Sequence, residues 1–94
     1  MRKGKGGRVR FRLSRHAENE VTERRIPQTA LQAVLESPQQ VVPAHGGLLA
    51  YQSQFELRPG KMYLVRAIVA EDSDPPVVVT VYRTSKIAKY WRRP

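Results

Sequence analysis

The chain predicts an α+β fold: two N-terminal helices packed on one face of an antiparallel sheet, closed by a short C-terminal helix. Three observations predict it. The apolar period is helical up to Ser37-Pro38 and extended after it. Val77 to Thr84, reading Val-Val-Val-Thr-Val-Tyr-Arg-Thr, is a strong strand sequence. Gly46-Gly47 and Pro59-Gly60 then cut the second half into a meander.

Each element has a local cause. Residues 1–7 carry three glycines and three cations, so a mobile basic tail is expected there, with 8–94 forming one domain. Val9, Phe11 and Leu13 alternate with Arg8, Arg10 and Arg12, the period of a strand with one buried face. Ser14 suits the cap of a helix from Arg15 to Arg25, whose thin apolar seam is Ala17 and Val21. Pro27 suits the first position of a second helix, with Ala30, Leu31, Val34 and Leu35 as its apolar face. Val41-Val42 reads as a short edge strand limited by Pro43. Strands follow at Leu48–Leu57, Met62–Ala70 and Val77–Thr84, the last two separated by an acidic loop. Within Val77–Thr84, simple alternation puts Val77, Val79 and Val81 on the core side and Thr80 and Tyr82 on the open side. Ser85 suits the cap of a final helical stretch ending at Trp91.

Charge is segregated along the 94 residues. Through Arg25 there are nine Lys/Arg against three acids, and from Arg83 onward five Lys/Arg and none; the stretch between is net −2. Two basic ends on one small domain suit a phosphate backbone. The absence of cysteine excludes disulfides and thiolate chemistry, and two histidines are too few for a His-rich metal centre. No apolar run reaches membrane-spanning length and the start lacks the pattern of a signal peptide, so a soluble cytoplasmic protein is expected, with no cofactor, no metal and no membrane partner.

Candidate chemistry falls in three places. His16, Glu20 and Arg24 share one helix face at i,i+4 spacing, which suits proton transfer beside a phosphate clamp and equally suits ordinary charge pairing on a solvated face. Arg66 interrupts an apolar strand; a cation there needs either a carboxylate, Glu56 or Glu71, or an anionic ligand. Lys86, Lys89, Arg92 and Arg93 surround Tyr90 and Trp91, a mixture suited to holding phosphates and stacking bases, or to packing the terminal helix. His45, beside Gly46-Gly47, reads as a solvated turn residue.

Ser14-Arg15-His16-Ala17, Arg25-Ile26-Pro27, Leu35 to Pro38, Lys61…Leu64…Arg66 and Thr80-Val81-Tyr82…Ser85-Lys86 together resemble a bacterial family of unknown function, domain of unknown function forty-two fifty-eight. The resemblance runs from about Phe11 to Trp91. It places the chain near the RelE, ParE and BrnT toxins among barnase-like and colicin-like ribonucleases. It implies a curved antiparallel sheet and a metal-independent, toxin-type endoribonuclease whose partners are RNA, including ribosome-associated mRNA, and a cognate antitoxin. Carried onto this sequence, the catalytic set is His16, Arg66, Thr80 and Tyr82, with Tyr82 made more acidic by Arg66 or Lys86. Arg12, Arg15, Arg24, Arg83, Lys86, Lys89 and Tyr90 are the expected nucleic-acid contacts. The alternative function is a non-catalytic basic module that binds nucleic acid or protein, including a ParE-like toxin acting by protein contact.

Overall fold

A computed structural model describes residues 10–93, so the expected tail and Val9 lie outside the described residues. The elements run β1 (Arg12–Leu13), α1 (Arg15–Glu23), α2 (Gln28–Glu36), β2 (Gln40–Pro43), a short 3-10 turn (His45–Gly47), β3 (Leu49–Arg58), β4 (Lys61–Ala70), β5 (Val77–Thr84) and α3 (Ile87–Tyr90). One five-stranded sheet has the order β1-β5-β4-β3-β2. Its β2–β3, β3–β4 and β4–β5 pairs are antiparallel. The β1–β5 pair is parallel, so the sheet is mixed and the expectation of a purely antiparallel one is corrected. The cause is connectivity. Two helices separate β1 from the rest of the sheet, and a strand joined by a long crossover can pair parallel where a hairpin cannot.

Ser14 caps α1 as its residue type predicts: its hydroxyl accepts from the Ala17 N–H at 3.0 Å and donates to the Val79 carbonyl at 3.1 Å. The helix stops two residues earlier than its polar pattern suggested. Arg25 takes φ 54°, the left-handed conformation that ends helices. Ile26 then bonds back to the Val21 carbonyl at 3.0 Å. Pro27 is the N-cap of α2 rather than its first residue. The C-terminal helix is a single turn that Ser85 does not cap; Lys86 occupies the cap position without a side-chain bond.

Both N-terminal helices bury their apolar seams in one cluster. Ala17 of α1 and Leu31, Val34 and Leu35 of α2 pack with Val65, Ala67, Val69, Val78 and Val81 of the sheet. A second, smaller cluster of Val42, Ala50 and Ile68 gathers Leu48, Val79 and Tyr82 beside it.

The division between the clusters corrects the simple alternation along β5. Val69 pairs with Val78 while Ile68 pairs with Thr80, so Val79 is an extra residue, a β-bulge. The bulge resets the period. Val78 and Val81 face the helices, whereas Val79 joins the second cluster, which also includes Tyr82.

Candidate nucleic-acid interface

The open side of the sheet carries two adjacent cross-strand rows. The register aligns Gln40 with Gln52, Gln52 with Arg66, and Arg66 with Tyr82, a polar row crossing β2 to β5. Two residues along each strand, Val42, Ala50, Ile68 and Thr80 form a mainly apolar row. A groove of about 610 Å³ lies over both, walled by Pro43, Ala44, His45 and Leu48 on one side and by Val79, Thr80 and Tyr82 on the other.

Arg66 sits at the floor of this groove, 9% exposed. Its Nε donates to Gln52 Oε1 at 2.8 Å and one terminal nitrogen donates to the Tyr82 hydroxyl at 2.5 Å. The Tyr90 ring lies against the guanidinium with its centroid 4.3 Å away. Among the described residues no carboxylate pairs with it. Glu56 instead accepts from the Gly60 N–H at 2.7 Å, and Glu71 accepts from the Tyr51 hydroxyl. Neither salt bridge open to Arg66 in the sequence is therefore formed. Among the described residues the second terminal nitrogen has no hydrogen-bond partner, and no buried side-chain nitrogen or oxygen is left unpartnered. That nitrogen consequently reaches the groove surface. A buried cation without a counter-charge is costly, and an anion entering the groove would remove that cost.

The C-terminal turn is tied over the β2 end of the polar row by two glutamines. Gln52 Nε2 donates to the Tyr90 carbonyl at 3.2 Å and to Gln40 Oε1 at 2.8 Å. Gln40 Nε2 donates to the Arg92 carbonyl at 2.7 Å, and the Arg92 N–H donates to Gln40 Oε1 at 3.1 Å. This brings Tyr90 against Arg66 and leaves Lys86 and Lys89 exposed. Lys89 Nζ lies 5.3 Å from the Tyr90 ring centroid.

Burial raises the Tyr82 hydroxyl pKa above its ordinary value, and the bond and charge of Arg66, which act the other way, do not overcome it. This corrects the expectation that neighbouring cations would make Tyr82 more acidic. Tyr90 goes down instead: desolvation raises it, but the Lys89 ammonium, the bond from Tyr82 and the Arg66 charge together outweigh that.

On the far side of β5, the His16–Glu20–Arg24 face forms as its spacing predicts. Glu20 is the buried member. One carboxylate oxygen lies 3.1 Å from His16 Nε2 and 3.2 Å from an Arg24 terminal nitrogen. The other accepts from the Thr80 hydroxyl and, at 2.8 Å, from the Val81 N–H. Glu20 thus finishes the open edge of β5. The Arg12 N–H donates to the Pro76 carbonyl and the Ser14 N–H to that of Val78, the Ser14 hydroxyl donates to that of Val79, and Glu20 takes the next free N–H. His16 is exposed and is not among the groove-lining residues; it connects to the groove through Glu20 and Thr80.

Glu20 titrates below its ordinary 4.5: burial raises it, but the bonds from Thr80 and Val81 and the charges of His16 and Arg24 outweigh burial. A carboxylate with a lowered folded pKa stabilises the fold above the unfolded value, and that contribution is lost as pH falls through the folded one. Thermal melts should therefore decline as pH drops from about 4.5, and Glu20→Gln should melt with a flatter profile across the same window. Parallel profiles for the two proteins would contradict this placement of Glu20.

The remaining basic residues divide between surfaces. Arg12, Arg15 and Arg24 are exposed along β1 and α1. Arg83 pairs with the buried core residue Val65 and lies 5.0 Å from the Tyr63 ring, which puts it on the helix side of the sheet, away from Tyr82. Sequence reading missed Gln40 and Gln52; it read His45 as a solvated turn residue, which is where it lies, without its place at the groove. The two glutamines become visible only when the strands are paired, because the row they form with Arg66 crosses three strand boundaries. Among the described residues no group of three or more His, Cys, Asp or Glu is placed to hold a metal ion, and no helix is long and apolar enough to cross a membrane.

Fold and site together define a small basic α+β domain with a groove on the open face of its sheet and a largely buried arginine, Arg66, in the lining of that groove. Residues 13–83 match the family described as domain of unknown function (DUF4258), and the chain belongs to that family. Neither the curated proteins nor the solved structures contain a match to it.

Proposed function

We propose that this domain is a metal-independent, toxin-type endoribonuclease that seats an RNA phosphate on Arg66. The observation that carries the reading is the buried guanidinium at the floor of an open groove, with no carboxylate partner among the described residues. The order of two helices followed by a strand meander supports relating the fold to the RelE- and barnase-like group. Such a protein would work in the cytoplasm on free or ribosome-associated mRNA, held in check by a cognate antitoxin.

In the proposed reaction the ribose 2′-oxygen bonds to the adjacent phosphorus as the bond to the 5′-oxygen breaks. The 2′-hydroxyl loses a proton and the leaving 5′-oxygen gains one, giving a 2′,3′-cyclic phosphate and a 5′-hydroxyl. Arg66 and Arg24 would steady the charge that develops on the phosphorane. His16 would transfer a proton through Nδ1, because Nε2 is held by Glu20. Thr80 and Tyr82 are positioning residues in this scheme: Thr80 fixes Glu20, and Tyr82, kept neutral by burial, fixes Arg66.

Incubating the pure protein with mixed RNAs in EDTA tests the proposal. His16→Ala is expected to slow cleavage at least about 100-fold with RNA affinity nearly unchanged. Equal cleavage by parent and variant would remove His16 from the mechanism. A second reading, an RNA-binding module without chemistry, is favoured by the absence of His16 from the groove lining. It predicts no cleavage at any protein concentration and an affinity that falls log-linearly with salt.

A further inference from the structure

Beyond the floor cation, the groove has a shape and lining that a phosphate alone does not use. Its volume of about 610 Å³ lies within the range of small-molecule sites. The side away from Arg66 is apolar, with Leu48, Ile68 and Val79 among its surfaces, all partly or largely buried. No Asp or Glu lines it, so it offers nothing to a cationic ligand.

At the rim stands His45, exposed, with no side-chain hydrogen bond among the described residues. Its position comes from the backbone. Gly46 and Gly47 take φ of 67° and 77°, turning the chain back so that the Leu48 N–H reaches the His45 carbonyl at 3.2 Å. Residues with side chains rarely adopt two successive left-handed conformations, which makes this glycine pair the reason the imidazole stands over the groove.

We infer that the groove is a mononucleotide-sized subsite: a phosphate binds the free nitrogen of Arg66 while the nucleobase lies on Leu48, Ile68 and Val79 with His45 against its ring. The inference rests on the proposed RNA reading and adds the base contact to it. A flat ring that is apolar on its faces and polar at its edges fits an apolar floor rimmed by an imidazole and the hydroxyls of Thr80 and Tyr82. Sugar phosphates and inorganic phosphate would use Arg66 and leave the apolar surface wet.

The test is NMR titration of the full chain with AMP, ribose 5-phosphate and inorganic phosphate, each in EDTA. AMP is expected to shift the His45 ring signals and the methyls of Leu48, Ile68 and Val79. It should bind about tenfold tighter than ribose 5-phosphate, the margin one stacked base provides. His45→Ala, at an exposed position, should shrink that margin while leaving ribose 5-phosphate affinity unchanged. Equal affinities for AMP and ribose 5-phosphate, shifts confined to α1 and α3, or no shifts with AMP would each overturn the subsite. Cleavage assays separate the two claims. AMP binding without RNA cleavage defeats the nuclease reading alone, and cleavage without a base margin defeats the subsite alone.

Discussion

Arg66→Met is expected to lower RNA cleavage by about 100- to 1,000-fold, the usual consequence of removing one preorganised charge-stabilising group. Single-turnover rates with a short single-stranded RNA would measure it. Methionine keeps the length and much of the apolar stem of arginine but removes the charge. Two opposing effects then act on stability. An uncompensated buried charge is gone, which is favourable, while Gln52 Oε1 and the Tyr82 hydroxyl lose a donor, which costs about 1–3 kcal/mol. The sum should lie within about 1.5 kcal/mol of the parent, so the variant folds and its lost activity reports on the site. Arg66→Lys keeps the charge but forfeits the forked geometry that meets Gln52 and Tyr82 together, and should fall between the two. If Arg66→Met cleaves RNA like the parent, or the non-catalytic form binds RNA with an unaltered salt slope, Arg66 does not hold the phosphate.

Glu20→Ala is expected to cost about 3 kcal/mol, a drop in Tm of roughly 12–24 °C for a domain this small. The loss arises because one carboxylate satisfies the Val81 N–H at the β5 edge and the Thr80 hydroxyl, and also meets the His16 imidazole and the Arg24 guanidinium. Alanine leaves a buried N–H without a partner beside Val81, which is itself fully buried. Glu20→Gln retains one acceptor and should lose about half as much. A loss below about 1 kcal/mol for Glu20→Ala, measured by denaturant titration, would mean that water or another side chain replaces the carboxylate. In the first case RNA cleavage falls while the fold holds. In the second the fold weakens, and cleavage falls with it through His16 and Thr80.

Much of the site was legible where its signal is local. The i,i+4 spacing of His16, Glu20 and Arg24 fixes their shared face in any α-helix, and they meet at 3.1 and 3.2 Å. Arg66 was conspicuous because a charge inside the apolar stretch of β4 is out of place there; the structure buries it, but with Gln52 and Tyr82 as hydrogen-bond partners rather than Glu56 or Glu71. The bounds of β5 match its run of β-branched residues from Val77 to Thr84. The Val79 bulge was not legible, since an inserted residue is defined only against the strand beside it.

What this sequence determined by itself is the kind of each element, the segregation of positive charge to its two ends, and the presence of one arginine out of place in an apolar strand. These follow from periods of two and 3.6 residues and from the cost of burying charge, both properties of short stretches of chain. The tertiary structure decided what surrounds that arginine: Gln52 and Tyr82 as neighbours in a row, Tyr90 against its face, His45 across the groove and no carboxylate paired with it among the described residues. It also decided that burial outweighs Arg66 at the Tyr82 hydroxyl. Pairing register and long-range approach set these outcomes. They bring together residues as far apart as Gln40 and Arg92, and no local pattern carries that information.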